Sequence, residues 1–500
     1  MSSDTLTPDD ARTRLRDVAW ALMLVATCAL VYGATHQARL YGDGPELLRL
    51  LARDPEGDSN WIHALYVPLA RWLLAVSGSD SPWKTMLWLS SGSGAVMIGA
   101  VFLLARRFGA AALDALLVAI LLAVTPNVWF FSTTIELHTL NGAVVALAAL
   151  VPMLLSWRRP RLDLALACLA TIPVFASHQS GALVQGALLL VAWTQFRRCA
   201  RPDSSWPELR PWLVAFVVAF GVSLCVAIAI GRVWASDMVM MNPDGLRGFI
   251  ADSRTPLTIT SFTAMWISPI AWLWPVLLAP ALEPATRRLH GLTVLAAIAP
   301  LFVFFTRQGI PENGAYALGF LPFVTAIGAR AISRLPLPRR SILAFLALAV
   351  VVQALLARSM IREYDDGSWG QRLAARGAHV RALGTGEILL LSFDHRLQII
   401  ETTHPEIREV DFLRPLVDAL ESGAPPEALA ARLEETVAPL LPIPELTIVF
   451  DRGYALEIDR APELAPIFAI LEERIRRMAE VESRPDGEHE YWVLRPRRTE

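Results

Sequence analysis

The chain has 500 residues, of which 54% are hydrophobic and only 18% are charged, and its formal net charge is -2. Soluble globular proteins carry about a quarter charged residues, so the composition excludes a wholly soluble protein, and the near-zero net charge argues against a nucleic-acid partner. The four cysteines have no metal-ligand spacing, which argues against a zinc site or a disulfide framework.

Long apolar stretches fill the first part of the chain and an ordinary charged composition follows, which predicts a membrane domain over 1–357 and a soluble domain over 358–500. Because an apolar helix of roughly 20 residues crosses the hydrocarbon core, we expect about eleven spans. The stretch 61–76 is shorter and more mixed, and is predicted to be an interfacial or re-entrant helix. The predicted spans are 18–36, 85–105, 111–131, 139–157, 162–178, 180–196, 212–234, 259–279, 289–306, 314–333 and 339–357.

Arginine clusters follow alternate spans, and short cytoplasmic loops collect basic residues, so the pattern predicts a cytoplasmic N-terminus. An odd number of spans then places the C-terminal domain on the other side, which in a bacterium is the periplasm. We therefore expect a multi-pass protein of the bacterial inner membrane. The arginine clusters lie at 12–16, 106–107, 158–161, 197–201, 287–288 and 330–340.

The first predicted outer loop, 37–84, contains Asp43 and Glu46 at helical spacing. Two carboxylates beside the membrane could deprotonate an acceptor hydroxyl or hold a divalent cation near a phosphate. The same spacing is typical of acids at a helix N-terminus, so a structural role stays open. The leucines over 47–51 predict a short helix whose apolar face can lie on the membrane surface.

The second polar segment, between the third and fourth spans, contains Glu136 and His138. These side chains could line a polar cavity and bind sugar hydroxyls. Thr133 and Glu136 also match a capping box, which is the structural alternative. His178 lies at a tight outer turn and fits either a solvated loop residue or a substrate ligand.

The last outer loop before the tail contains Arg307 and Glu312. The forked donors of Arg307 could pair with a carrier phosphate. The alternative is an arginine that extends along apolar surface to reach the membrane interface.

The tail alternates strand-like and helical runs, which predicts a small α/β domain. The strand-like runs are Ile388–Phe393, Glu409–Phe412, Leu446–Phe450 and Tyr491–Leu494, and the helical patterns are 424–438 and 463–481.

Two of these motifs resemble those of the protein O-mannosyltransferase-like membrane proteins, a family of the GT-C glycosyltransferase superfamily. Its Gly-Asp-x-x-Glu element is matched by Gly42, Asp43 and Glu46, and its Glu-x-Tyr-x-Leu-Asn element by the segment 136–141. The chain departs from the family where His138 replaces the tyrosine. It departs again where the segment 60–68 replaces a His-Pro-Pro-Gly-Tyr-Pro element and retains only His63, Tyr66 and Pro68.

The resemblance implies a GT-C-like fold and a sugar donor on a polyprenyl-phosphate carrier that enters from the bilayer. It also implies that Asp43 is the general base, that Glu46 assists it or binds a metal or acceptor, and that Glu136 lines the cavity. The donor sugar would be mannose-like, and the acceptor a protein or a glycan. Two alternatives stay open: a transporter or flippase of lipid-linked sugars, and a non-catalytic membrane assembly protein.

Overall fold

The computed structural model describes residues 8–37, 44, 47–48, 51, 65–79, 81–199, 210, 212–219, 221–222, 225, 259–308, 314–364, 368–393, 400, 404, 406–412, 416, 425–453, 464–486 and 489–497. The chain forms two compact units, which divide after residue 365. The predicted domain boundary at 357/358 falls inside the helix Arg339–Tyr364.

The first unit is helical. Its α-helices are α1 (Pro8–Ala34), α2 (Tyr66–Ser77), α3 (Pro82–Phe108), α4 (Ala112–Ala123), α5 (Pro126–Thr133), α6 (His138–Leu154), α7 (Pro160–Leu169), α8 (Ile172–Ser177), α9 (Gln185–Cys199), α10 (Ile259–Phe262), α11 (Trp274–Leu282), α12 (Pro284–Gln308), α13 (Leu321–Ile332) and α14 (Arg339–Tyr364). Short 3-10 turns at Gln179–Val184, Ala271–Leu273 and Ala315–Gly319 and a π-helical turn at Thr263–Ile267 lie between them.

The central element is α3, which packs against α1, α6 and α13. The residues at its two ends follow the usual helix-capping preferences. The Ser81 side chain accepts a hydrogen bond from the backbone N–H of Lys84, Pro82 begins the helix, and Gly109 ends it at φ 95°. Most of α3 is apolar or small and is buried, as expected of a helix surrounded by other helices.

Within the described residues, four helices are long and apolar enough to cross a membrane, or five if α4 and α5 count as one bent span. Three more are apolar but only 10–17 residues long. A mostly helical fold with apolar helices is therefore confirmed, whereas the number of about eleven spans stays a prediction. The predicted short helix at 61–76 is observed as α2, from Tyr66, and its interfacial or re-entrant placement stays a prediction.

Several predicted spans are interrupted. The predicted span 111–131 consists of α4 and α5, which meet at 60° where Pro126 begins the second helix. Asn127 supports this break, because its Nδ2 donates to the Gly314 carbonyl at 3.2 Å and its backbone N–H donates to the Pro269 carbonyl at 3.2 Å. Such bonds satisfy backbone groups that water cannot reach inside a membrane.

Two helix contacts depend on glycine. A Cβ atom on Gly328 in α13 would lie 2.3 Å from the Val276 carbonyl oxygen in α11, and one on Gly142 in α6 would lie 2.4 Å from Met97 Sδ in α3. A side chain at position 328 would collide with the backbone of α11, whereas one at position 142 would require Met97 to move. Such close approach at small residues is common between membrane helices.

The second unit contains a five-stranded sheet with the order β2-β1-β3-β5-β4. Parallel pairing joins β1 to β2 and β3, and antiparallel pairing joins β5 to β3 and β4. Its elements are α15 (Ser368–Ala382), β1 (Glu387–Ser392), β2 (Ile407–Asp411), α16 (Pro426–Val437), β3 (Leu446–Asp451), α17 (Ala465–Met478), β4 (Ala479–Asp486) and β5 (His489–Pro496).

The predicted small C-terminal sheet is confirmed, with one strand more than expected. The sequence pattern extends a helix to residue 481, whereas α17 ends at Met478 and β4 follows directly. Because β4 is an edge strand rich in charged residues, it lacks the apolar alternation that marks the other strands.

Candidate functional site

The predicted site residues fall into two groups. Glu136, His138 and His178 are described and lie together, with ring centroids of the two histidines 5.2 Å apart. The backbone of Arg307 lies near the end of α12, but its side chain is outside the described residues. Asp43, Glu46, His63 and Glu312 also lie outside the described residues.

The described group forms a buried polar cluster where α6 begins. The exposed fractions of Glu136, His138 and His178 are 2%, 5% and 4%. Glu136 Oε2 lies 3.8 Å from His138 Nε2 and accepts the Leu137 N–H at 3.0 Å. The Tyr316 ring lies against both histidines, at centroid distances of 5.4 and 6.0 Å. We call Glu136, His138, His178 and Tyr316 the polar cluster.

The expected capping box at Thr133 and Glu136 is wrong. α5 ends at Thr133 and α6 begins only at His138, with Leu137 at its N-cap position and no side-chain cap. The two residues therefore do not share a helix start. Glu136 lies in the connection between the helices, where its carboxylate accepts the N–H of the neighbouring Leu137.

Buried hydroxyl groups fix the backbone at Glu136. Ser90 Oγ, in the first turns of α3, donates to the Glu136 carbonyl at 3.0 Å and accepts the Glu136 N–H at 3.3 Å. The Tyr66 hydroxyl lies 3.0 Å from the same Ser90 oxygen. Because all three residues are buried, these bonds fix the carboxylate's position in a low-dielectric setting.

His178 is not a solvated loop residue. Its Nδ1 accepts the Ser180 N–H at 2.9 Å and lies 2.6 Å from Ser180 Oγ, so the ring caps the following 3-10 turn. The preceding Ser177 donates to Asn141 Oδ1 in α6 at 3.2 Å. These contacts hold the His178 segment against the start of α6.

The first predicted loop, 37–84, is anchored next to this cluster at its N-terminal side. The Gln37 N–H donates to the Thr133 carbonyl at 2.8 Å, and Gln37 Nε2 donates to Thr133 Oγ1 at 2.7 Å. His36 Nε2 lies 2.7 Å from Ser91 Oγ, whose hydroxyl donates to the Ser132 carbonyl at 2.7 Å. The loop therefore leaves α1 beside the end of α5, three residues before Glu136.

The described residues of the loop helix are Gly44, Leu47, Leu48 and Leu51, and all of them are buried. The prediction of a face on the membrane surface is therefore wrong for Leu47, Leu48 and Leu51, because they are buried, and Leu50 lies outside the described residues. Asp43 directly precedes Gly44 in the sequence.

An apolar cavity of about 400 Å³ lies between α1 and α4 and reaches Tyr32 and Trp129. Trp129 donates to Thr35 Oγ1 at 2.9 Å, so the cavity ends beside the anchored start of the first loop. Lining residues Trp20, Met23 and Val31 are 38%, 48% and 41% exposed, although they are large and apolar. In a membrane protein such exposed apolar surface faces lipid.

The cluster offers hydrogen-bond acceptors and donors but no recognisable metal centre. Among the described residues, no group of three or more His, Cys, Asp or Glu side chains could hold a metal ion. The predicted cation ligand Asp43 lies outside that set, so the divalent cation stays a prediction.

Sequence reasoning misses Ser90 and Tyr316 as members of this region. Ser90 belongs to a run of small polar residues, Ser90–Ser93, inside a predicted span, and this run is the signal that could have indicated it. Tyr66 is the tyrosine that this chain retains from the family's His-Pro-Pro-Gly-Tyr-Pro element, and its hydroxyl contacts Ser90. Tyr316 precedes an apolar helix and carries no comparable signal.

Comparison with known proteins identifies the fold. No family model matches the chain, and no curated protein matches it in sequence. The crystal structure of ArnT from Cupriavidus metallidurans bound to undecaprenyl phosphate is similar, with a TM-score of 0.60 and 14% identity over 95% of this chain and 98% of that one.

Archaeal oligosaccharyltransferase AglB from Archaeoglobus fulgidus, in complex with an inhibitory peptide and a dolichol-phosphate, is also similar. Its TM-score is 0.53, with 12% identity over 95% of this chain and 74% of that one. At these identities the likeness establishes the fold and not the activity. The chain therefore has the fold of ArnT and AglB, two members of the GT-C glycosyltransferase superfamily.

Proposed function

We propose that this protein is a glycosyltransferase that moves a sugar from a polyprenyl-phosphate carrier to an acceptor hydroxyl at the outer face of the bacterial inner membrane. The observation that carries the proposal is the fold, because a similar structure that covers nearly the whole chain contains undecaprenyl phosphate. The O-mannosyltransferase-like motifs support a mannose-like sugar and a protein or glycan acceptor.

The apolar cavity between α1 and α4 suits the prenyl chain of the carrier. It extends along α1 from Trp20 to Tyr32, which corresponds to about 18 Å of helix. A prenyl chain entering from the bilayer would replace lipid against the exposed apolar side chains. Its phosphate would then lie near Thr35 and Gln37, where the first loop begins.

The reaction has one displacement step. The acceptor oxygen forms a bond to the anomeric carbon, the bond from that carbon to the phosphate oxygen breaks, and the configuration inverts. In our proposal the Asp43 carboxylate takes the hydroxyl proton as general base, with Glu46 as its helper. The polyprenyl phosphate leaves with the bonding electron pair, and Arg307 offsets its charge.

The polar cluster binds the sugar or the acceptor in this proposal. Glu136 accepts hydrogen bonds from hydroxyl groups, and His138 and His178 lie close enough to contact the same molecule. His63 and Glu312 are assigned to substrate binding on sequence grounds alone. A divalent cation held by Asp43 could supply further charge for the phosphate.

Transfer of radiolabelled sugar from a synthetic polyprenyl-phosphate donor, with purified full-length protein and Asp43→Asn, tests the proposal. We expect the variant to lose at least about 100-fold in transfer rate, the lower range for a lost general base. The control is Asp58→Asn, which removes a carboxylate of the same loop outside the motif and should leave transfer unchanged.

Two outcomes would contradict the proposal in different ways. Wild-type-like transfer by Asp43→Asn would remove Asp43 as the base but keep the enzyme. Movement of sugar-lipid across proteoliposome membranes without covalent transfer would instead favour a transporter.

A further inference from the structure

The membrane unit contains a second cavity, at the far end of its helices from the polar cluster. His138 begins α6, and Met153, in the last turn of the same helix, lines this second cavity, so about 22 Å of helix separates the two places. The volume is about 540 Å³, which lies in the range of ligand-binding pockets. It belongs neither to the polar cluster nor to the apolar cavity.

Arginine is the most frequent residue type in the lining of this cavity, which we call the arginine cavity. Its described lining residues include five arginines and no aspartate or glutamate. Like charges held close together repel one another, and an anion between them reduces that repulsion. The arginines are Arg197, Arg198, Arg288, Arg330 and Arg334.

A buried histidine gives a second, independent indication of a ligand. His290 lines the cavity, is 3% exposed, and its Nε2 has no hydrogen-bond partner in the described structure. Buried polar atoms are nearly always hydrogen-bonded in folded proteins. The Phe108 ring packs against the imidazole at a centroid distance of 4.8 Å and holds its position.

One arginine is fixed by the protein itself. Arg330 Nη1 donates to the Phe108 carbonyl, and Arg330 Nε donates to Thr286 Oγ1 at 3.3 Å. Arg198, Arg288 and Arg334 are exposed residues at the edge of the same cavity. The cavity therefore combines one held guanidinium with basic side chains that can close over an anion.

The apolar part of the lining favours a lipid over a free ion. Leu289 and Leu292 line the cavity on α12 and are 45% and 52% exposed. Together with buried Trp193, they place apolar surface beside the arginines. Basic pockets between membrane helices are known to bind anionic lipid headgroups, and arginine forks match phosphate oxygens.

We propose that the arginine cavity binds the phosphate headgroup of an anionic phospholipid at the end of the membrane unit that the arginine pattern assigns to the cytoplasm. The guanidinium groups and His290 contact the phosphate, and Leu289 and Leu292 contact the acyl chains. This site is independent of the proposed sugar transfer.

Native mass spectrometry of the full chain in neutral detergent tests the site, with phosphatidylglycerol, phosphatidylcholine and inorganic phosphate as probes. We expect preferential retention of phosphatidylglycerol, and at least about tenfold weaker binding in the double variant Arg198→Gln/Arg334→Gln, since each basic residue contributes to anionic lipid binding. The matched control is Arg161→Gln/Arg340→Gln, which removes the same charge outside the cavity.

A second variant keeps the test decisive if the double variant does not fold. His290→Leu retains every arginine and should weaken phosphatidylglycerol binding about fivefold. Equal binding by all four proteins, or equal loss in both double variants, would overturn the site. Binding of inorganic phosphate without preference for phosphatidylglycerol would overturn the lipid and assign the cavity to a free anion.

Discussion

The two ends of the membrane unit differ in the kinds of polar side chain that they contain, although the same helices α3, α6 and α13 connect them. At one end lie hydroxyl groups, imidazoles and the buried carboxylate of Glu136. At the other end, acidic side chains are paired with arginines or cap helices. Asp17 accepts from Arg106 Nε at 3.0 Å, and Asp114 accepts from Arg339 and, at 2.6 Å, from Ser333.

This difference distinguishes carboxylates that stabilise the fold from a carboxylate that is a candidate for substrate binding. At the arginine end, each of these acids has a cationic or hydrogen-bonding partner on another helix, so the charges hold elements together. At the other end, Glu136 lies in a connection whose backbone is fixed by Ser90, and its carboxylate lies 3.8 Å from the imidazole of His138. We therefore expect carboxylate substitutions at the two ends to affect different measurements.

The largest effect is expected at the polar cluster. Glu136→Gln keeps the shape and an oxygen acceptor but removes the charge, so transfer efficiency (kcat/KM) should fall about 10- to 100-fold, the value of one hydrogen bond to a charged group. The matched control is Glu283→Gln, the same substitution at the arginine end, which should leave the transfer rate unchanged. Equal activity losses in the two variants would contradict the proposed difference between the two ends of the membrane unit.

The next effect is on stability. Asp114 is fully buried and pairs with Arg339, whose side chain is 43% exposed. Asp114→Ala leaves the arginine without its partner, so the free energy of unfolding should fall by about 1–3 kcal/mol, discounted for that exposure. Thermal unfolding in detergent measures it, and the transfer rate of the folded protein should not change.

The adjacent arginines offer a control for this pair. Arg339→Ala should destabilise the protein, whereas Arg340→Ala, an exposed neighbour in the same turn, should not. A lower transfer rate in Asp114→Ala at a temperature where it is fully folded would contradict the structural role.

The smallest effect concerns Glu283, in the connection between α11 and α12. Burial raises the pKa of this carboxyl. Hydrogen bonds from the Thr286 hydroxyl and from the backbone N–H groups of Thr286 and Ala285 lower the pKa, and so does the charge of Arg334. The lowering is larger, so the pKa lies below its ordinary value. The ionised carboxylate caps α12, accepting those N–H groups at 2.6 and 3.0 Å.

The sign of its pH dependence follows from that lowered pKa. The stabilisation is present above the pKa of the unfolded chain and is lost as the pH falls through the lower pKa of the folded protein. Glu283→Gln should therefore cost about 1 kcal/mol at pH 7, with the difference disappearing at pH values well below 4. Thermal unfolding of both proteins across that range measures it, and a constant difference would contradict a charged cap.

The sequence predicts the helices well and their interruptions poorly. Apolar length identifies α3 within three residues at each end and α14 at its first residue, because burial in lipid needs little beyond hydrophobicity. It does not predict the 60° bend between α4 and α5, because Asn127 makes bonds to Gly314 and Pro269 that are remote in sequence. The edge strand β4 is missed for the related reason that pairing, not composition, makes it a strand.

The candidate site shows the same division. Glu136 and His138 are predicted from a motif, and the structure brings His178 to them from another connection. Ser90 in α3 and Tyr316 in the 3-10 turn Ala315–Gly319 come from distant segments, and the tertiary packing brings them to the polar cluster. Roles for Asp43, Glu46, His63, Arg307 and Glu312 stay predictions.

The glycine contacts bear on how much this membrane unit can move. A carrier protein that opens alternately to two compartments needs rigid bundles that rock or slide past each other. Here Gly328 brings α13 onto the backbone of α11, so sliding at that place would drive side chains of α13 into main-chain atoms, and Gly142 brings α6 against the Met97 side chain of α3. Contacts of this kind favour a scaffold whose helices keep their positions while substrates bind and leave at one membrane surface.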